Sequence, residues 1–237
     1  MAKHLQREIE SVKKHLLRVC ALVEKKVGLA TKSIEDKDSA LAEQVIETDY
    51  EVDNAEVGLE EECLKVLALH QPVAIDLRVV VAVLKINNDL ERIGDLAVNI
   101  AERGVYLATH TAVPDKFDFS VMADKVINML KQAVDSFVKM DCDLARAVCG
   151  RDDEVDRINS DVYKLVKSSI NDNPEHVNSL IHLLSVSRHL ERIADLATNI
   201  AEDVVYMITG EIVRHGAEDY TEDRVGKSGK PDRKSVV

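Results

Sequence analysis

The chain has 237 residues, of which 46% are apolar, so it is long enough for one large core or two smaller ones. Aromatic residues make up only 3%, so small and aliphatic side chains must fill the interior, as packed helices permit. The formal net charge of −12 argues against a protein whose main task is gripping nucleic acid, because such proteins carry basic surfaces.

Six long helices are predicted from the 3.6-residue apolar periodicity and from the prolines that interrupt it. Their predicted ranges are 3–34, 38–70, 72–109, 119–140, 142–170 and 174–213. The stretch 73–86 is rich in β-branched residues and is also compatible with a buried strand. Basic residues recur there every seven positions, and the run leads directly into the next helical pattern, so we predict a helix.

A 13-residue phrase occurs twice, as LERIGDLAVNIAE at 90–102 and as LERIADLATNIAE at 190–202. The tripeptide EVD at 51–53 also recurs, at 154–156. Because two different helices repeat at an offset of about one hundred, each half is predicted to be a three-helix unit. We therefore expect an all-α fold with two pseudo-symmetric three-helix bundles. The predicted segments are a first repeat over 1–109, a linker over 110–118, a second repeat over 119–215 and a disordered tail over 216–237.

Each copy of the phrase places acidic groups on one narrow stripe of its helix, beside a wide apolar arc. These stripes hold Glu91, Asp95, Asn99 and Glu102 in the first copy, and Glu191, Asp195, Asn199 and Glu202 in the second. The middle helices add Asp49, Asp53, Glu56 and Glu60 in the first half, and Asp152 and Asp156 in the second. Like charges four residues apart destabilise a helix, and two facing acidic stripes are unfavourable without cations between them.

The stripes predict carboxylate sites for Mg, Ca, Mn or Fe, the metals that oxygen ligands favour. The alternative is that they are solvated faces of a purely structural bundle. No histidine follows a glutamate by three residues, which argues against a ferritin-like di-iron enzyme. No catalytic triad pattern or phosphate-binding loop is evident in the sequence. The N-terminus resembles no signal peptide and the longest apolar run, at 79–84, is too short to span a bilayer, so we expect a cytoplasmic protein.

The segments 71–102 and 188–211 resemble the two signature regions of the PhoU family, bacterial regulators of phosphate uptake and phosphate signalling. The segments 47–56 and 152–159 resemble the acidic motifs of its middle helices. The resemblance implies a cytoplasmic, commonly dimeric protein that binds iron, zinc, magnesium or manganese at E/DxxxD motifs. It places metal ligands at Asp49, Asp53, Glu91 and Asp95, and at Asp152, Asp156, Glu191 and Asp195. Glu56, Asn99, Glu102, Asn199 and Glu202 are weaker candidates.

The family resemblance further implies a non-enzymatic negative regulator of phosphate uptake and phosphate-starvation signalling. Its implied partners are the ATPase of the phosphate ABC transporter and a sensor histidine kinase, so membrane association arises only through partners and nucleic acid is not bound. A carboxylate-cluster metalloenzyme and a metal-storage bundle are the alternatives. Leu196 replaces a histidine found in many relatives, and Asn159 replaces an acid. We therefore expect the second half to hold fewer or more weakly bound ions.

Overall fold

The computed structural model describes residues 2–110, 113–114 and 117–210. These ranges are largely helical and contain no strand, which confirms the all-α fold class. The helices are α1 (Ala2–Asp36), α2 (Ser39–Glu47), α3 (Asp49–His70), α4 (Ala74–Thr109), α5 (Ser120–Lys139), α6 (Cys142–Cys149), α7 (Asp152–Asp172) and α8 (Val177–Thr209), with a 3₁₀ turn at Pro174–His176 before α8. The segment 73–86 lies almost wholly within α4, so its helical prediction is also confirmed.

The second and fifth predicted helices are each divided by a short break, into α2 and α3 and into α6 and α7. Thr48 occupies the first break, where its hydroxyl donates to the Gln44 carbonyl over 2.8 Å. The apolar periodicity continues across the break because buried Val45 and Val52 both face the core. Periodicity alone therefore could not reveal the interruption. Gly210, with φ of 78°, ends α8 at Thr209 rather than near 213.

The helices of the two halves follow the same order along the chain, with α1 equivalent to α5 and α4 equivalent to α8. Ser33 and Ser136 mark the same place, because the hydroxyls donate to the carbonyls of Ala30 and Ala133 over 2.7 and 2.6 Å. Four residues later, Lys37 and Met140 both adopt left-handed backbone, with φ of 52° and 55°. This fixes an offset of 103 residues for the first three helices of each half. The offset falls to 100 for α4 and α8.

Helices α4 and α8 form the centre of the molecule and cross in opposite directions. The Lys85 ammonium lies 2.8 Å from the Asp203 carboxylate at one end of the crossing. At the other end, the Tyr106 and His182 rings stack with centroids 3.8 Å apart. The two copies of the phrase therefore meet at the middle of the crossing, where their leucines and isoleucines are buried. Each such side chain contributes about 1.5–3 kcal/mol through removal from water.

Around this centre, α1, α2 and α3 pack against α4, while α5, α6 and α7 pack against α8. Helices α1 and α5 make a second contact between the halves. Of the predicted linker, the described residues at 110, 113–114 and 117–118 are not helical. The predicted tail lies outside the described residues. Within the described ranges, no helix is both long and apolar enough to cross a membrane.

Candidate functional site

Five acidic side chains of the first half lie together on α3 and α4. We call them the first acidic cluster: Asp49, Asp53, Glu56, Glu91 and Asp95. Burial raises the pKa of Glu91, and the charges of Asp95, Glu56 and Asp53 raise it further. Burial likewise raises the pKa of Asp95, as do Asp49 and Asp53. The mutual repulsion of these groups shows that α3 and α4 bring the predicted stripes face to face.

A close approach of α3 to α4 sets this arrangement. Gly94 lies between Glu91 and Asp95, and a Cβ atom built on it would be 3.2 Å from Val52 Cγ1. Val52 is itself buried, next to Asp53 on α3. The missing side chain at Gly94 therefore lets α3 carry its carboxylates close to those of α4. The second half has Ala194 at this position.

A buried lysine pairs with the first acidic cluster, and the sequence analysis did not identify it. Lys26 on α1 is 5% exposed, and its ammonium forms an ion pair with Asp49. The charge of Lys26 also offsets part of the rise in the pKa of Asp95. The sequence did contain a sign of this buried lysine, because it lies on α1 beside Val23, Val27 and Ala30, which all face the core. An unpaired charge in such a place is costly, so its position already called for an acidic partner.

Asn87 holds Glu56 at the edge of this cluster. The Asn87 amide nitrogen donates to the Glu56 backbone carbonyl and to Glu56 Oε1, both over 2.9 Å. In the second half, the Ser187 hydroxyl donates to Asn159 Oδ1 over 2.7 Å. Asn159 therefore accepts a hydrogen bond as Glu56 does. Its donor, Ser187, is a shorter side chain at the position on α8 equivalent to Asn87 on α4. The loss of the acid at Asn159 comes with a matching change at Ser187.

The second half brings together four acidic side chains on α7 and α8. We call them the second acidic cluster: Asp152, Asp156, Glu191 and Asp195. Burial raises the pKa of Asp152 to about 6, and the charges of Asp195, Asp156, Glu191 and Asp153 add to the shift. Asp152 Oδ1 is buried without a hydrogen-bond partner. At the position equivalent to Lys26 the chain has Met129, which is 1% exposed, so no ammonium reaches Asp152 from α5.

The remaining predicted ligands lie outside the two clusters. Glu102 is half exposed and pairs with Arg103 at 3.6 Å. Glu202 lines a cavity of about 550 Å³ together with Lys85 and Asp89. As the side chains are placed, no three His, Cys, Asp or Glu groups within the described ranges converge tightly enough to hold a metal ion. A cation bound by either cluster would therefore require its carboxylates to turn toward one another.

A second, smaller cavity of about 300 Å³ lies where the two copies of the phrase cross. Its lining consists of four equivalent pairs: Arg92 and Arg192, Asp95 and Asp195, Leu96 and Leu196, and Asn99 and Asn199. The clusters therefore meet here, since Asp95 belongs to the first and Asp195 to the second. The two predicted stripes therefore share this cavity at Asp95, Asn99, Asp195 and Asn199, while Glu102 and Glu202 lie outside it.

The chain matches the family model of the PhoU domain twice, over residues 16–104 and 119–204. It is 36% identical over 216 residues to the phosphate-specific transport system accessory protein PhoU homologue of Pseudomonas aeruginosa, covering 91% of this chain and 89% of that one. It is 37% identical over 211 residues to the homologue of the same description from Aquifex aeolicus, covering 89% and 96%.

Two crystal structures have the same fold. PhoU from Pseudomonas aeruginosa superimposes with a TM-score of 0.83 at 36% identity, covering 87% of this chain and 99% of that one. The phosphate transport system regulatory protein PhoU from Streptococcus pneumoniae gives a TM-score of 0.81 at 26% identity, covering 88% and 99%. The similarity extends over both halves of the chain, since the structures cover 87% and 88% of it and each half matches the PhoU domain.

Proposed function

This chain belongs to the PhoU family, and from that premise we propose that it is an accessory protein of phosphate transport that represses phosphate uptake and phosphate-starvation signalling. The observation that carries the proposal is the match of both halves to the PhoU domain, within relatives named as accessory proteins of that transport system. The family comprises accessory and regulatory proteins and not enzymes. Regulation by contact with a partner needs a stable surface rather than a catalytic apparatus.

The proposed partners are the ATPase of the phosphate ABC transporter and a phosphate-sensing histidine kinase. The chain would work in the cytoplasm as a homodimer and reach the membrane through these partners. Long helices from both repeats offer the extended surfaces that an adaptor requires. Its charge of −12 favours partners with basic contact surfaces, because complementary charge speeds association.

We further propose that the two acidic clusters bind metal ions. The second cluster fits this role, because Asp152 Oδ1 is buried without a partner and Asp152, Asp156, Glu191 and Asp195 repel one another. In the first cluster, Asp49, Asp53, Glu91 and Asp95 would be the ligands, with Glu56 beside them. Carboxylate oxygens suit magnesium, manganese or iron, and zinc is also compatible. A bound cation would supply charge neutralisation and hold α3 to α4 and α7 to α8.

The regulatory role is tested by deleting the gene in its own cell and measuring a phosphate-regulon reporter, such as secreted alkaline phosphatase, in phosphate-rich medium. We expect high constitutive output that the intact chain returns to a low level. A chain with Asp152→Asn and Asp195→Asn should fail to restore repression. The matched control carries Asp143→Asn and Glu154→Gln, which change exposed acids of α6 and α7 outside the clusters. Low output in the deletion strain would contradict the proposal.

The metal proposal is tested by elemental analysis of the purified chain and by equilibrium dialysis against manganese or zinc. We expect a few ions per chain, reduced in the Asp152→Asn, Asp195→Asn variant and unchanged in the control. Loading of many ions per chain would favour metal storage instead. Turnover of a phosphate ester by the loaded protein would favour a metalloenzyme, and binding unaffected by the cluster variant would leave the stripes as solvated surface.

A further inference from the structure

The cavity between the two copies of the phrase has a lining that repeats itself. Each of its positions is supplied once by α4 and once by α8, because the helices cross there in opposite directions. Arg92 and Arg192 provide two guanidinium groups, and Asp95 and Asp195 provide two carboxylates. Leu96 and Leu196, which are 6% and 5% exposed, form its apolar part. A ligand that fits this cavity should itself present the same chemistry twice.

The two arginines have donor capacity left for a ligand. Arg92 contacts Asp89 at 3.4 Å, which is a long hydrogen bond, and its side chain is 52% exposed. Arg192 forms no ion pair with any described residue. A guanidinium presents five N–H donors in a fixed plane, which matches the oxygens of a tetrahedral oxyanion. Two such groups in the lining of one small cavity favour the binding of an anion there.

The two carboxylates restrict which anion fits. An ionised carboxylate only accepts hydrogen bonds, so it repels an anion that has no hydroxyl to donate. Asn99 does not add to this restriction, because its amide nitrogen donates one N–H to the Asp95 backbone carbonyl over 2.9 Å and keeps a second N–H beside its acceptor oxygen. A ligand here must carry bare oxygens for the arginines and hydroxyls for the acceptors.

We propose that this cavity binds protonated inorganic phosphate, with its bare oxygens toward Arg92 and Arg192 and its hydroxyls toward Asp95 and Asp195. Dihydrogen phosphate carries two bare oxygens and two hydroxyls, and so matches the two-fold repetition of the lining. A phosphate monoester has one corner occupied by its ester oxygen and breaks that match. Sulfate, fully deprotonated at neutral pH, offers no hydroxyl and faces two carboxylates without a hydrogen bond.

The inference rests on the proposed function in one respect, since it supplies the small-molecule signal that such a regulator would sense. Phosphate in the cavity would bridge α4 and α8, and therefore the two repeats. It would also change the charge next to Asp95 and Asp195, which belong to the two acidic clusters. Phosphate and metal binding should therefore influence each other, by the same factor in both directions.

The test is equilibrium dialysis of the full chain with radiolabelled inorganic phosphate, with sulfate as the competitor, both after chelation and after manganese loading. We expect saturable binding of one phosphate per chain, with sulfate at least about tenfold weaker because it leaves the carboxylates unpaired. The Arg92→Gln, Arg192→Gln variant should bind phosphate at least about tenfold more weakly. Arg146→Gln, Arg157→Gln is the matched control, since both arginines are exposed and lie outside the cavity.

A third variant, Asp95→Asn, Asp195→Asn, should reduce the preference for phosphate over sulfate while retaining anion binding. Equal affinity of the intact chain for the two anions, or phosphate binding that is unaffected by the arginine pair, would overturn the proposal. An absence of saturable phosphate binding under both metal conditions would do so as well. Competition between phosphate and sulfate in the intact chain tests the proposal even if a variant folds poorly.

Normal repression without phosphate binding would refute this inference alone, whereas phosphate binding with an unaltered reporter in the deletion strain would refute the regulatory role alone.

Discussion

The first acidic cluster contains five carboxylates and the buried ammonium of Lys26, whereas the second contains four carboxylates and no ammonium from α5, where Met129 replaces the lysine. If all groups are ionised, both clusters carry the same net charge by different routes. In the first, a cation is built into the protein and paired with Asp49. In the second, Asp152 is left half-buried with a raised pKa and an unpartnered oxygen. The first repeat thus supplies a cation from its own chain, whereas the second leaves the charge of Asp152 without a partner from α5.

The hydrogen bonds at the edges of the clusters differ in the same compensating way. Asn87 donates to the acid Glu56, while Ser187 donates to the amide Asn159. Both members of the pair differ between the halves, so Asn159 is not simply a missing ligand. The second cluster has four carboxylates where the first has five, and the expectation that it holds fewer or more weakly bound ions stays a prediction.

The largest expected effect is an opposite response of the two clusters to the same substitution, in metal-free protein near neutral pH. Asp49→Asn removes the ion-pair partner of the buried Lys26 ammonium and should lower the free energy of unfolding by about 3 kcal/mol. Asp152→Asn removes a repelled carboxylate and should raise that free energy by about 1 kcal/mol. Urea denaturation of both variants measures the contrast. Changes of the same sign would show that Met129 and Lys26 are not what distinguishes the clusters.

The second effect concerns pH. The pKa of Asp152 in the folded protein, about 6, lies above its ordinary value of 3.8, so the folded chain binds the proton more tightly. Folding stability from this group is therefore retained at low pH and lost as the pH rises from about 4 to about 6. Over this pH range, the free energy of unfolding of the wild type should fall by about 1–2 kcal/mol relative to that of Asp152→Asn, after allowance for solvent screening. Chelator-treated samples unfolded in urea at several pH values measure it, and identical pH profiles would contradict it.

A third effect is expected on metal affinity. Lys26→Met frees Asp49 from its ion pair and should raise the manganese affinity of the first cluster by about tenfold. Met129→Lys places an ammonium near Asp152 and should lower the affinity of the second cluster by a similar factor. Calorimetric titration of each variant, with the other cluster neutralised by Asp→Asn changes, resolves the two sites. If affinity falls in Lys26→Met, the lysine supports metal binding rather than competing with it.

The smallest effect concerns the helix contact beneath the clusters. Ala194→Gly should lower the free energy of unfolding by about 1 kcal/mol, because glycine is a poor helix former. Gly94→Ala should raise the free energy of unfolding by almost nothing, because the better helix propensity of alanine is offset by a new Cβ that would lie 3.2 Å from Val52 Cγ1. Thermal unfolding of the two variants checks the comparison. A gain of a full kcal/mol in Gly94→Ala would mean that α3 has room to move away from α4.

Much of the fold and part of the site could be predicted from the sequence. The long helices, the duplication and the acidic stripes follow from local periodicity, because a helix has a fixed number of residues per turn. Lys26 could not be assigned to Asp49 in the same way, since 23 positions and two helix breaks separate them. The breaks at Thr48 and at 150–151 were also hidden, because the apolar pattern continues through them.

What the sequence by itself determined is the identity of the surfaces: which face of each helix is apolar, which is acidic, and that each occurs twice. What the tertiary structure decided is which of these surfaces meet. The opposite directions of α4 and α8 bring Asp95 and Asp195 to one cavity with Arg92 and Arg192. Helical periodicity depends on residues that are close in sequence. The partners of a charged group depend on how distant helices pack, because packing sets the distances between charges.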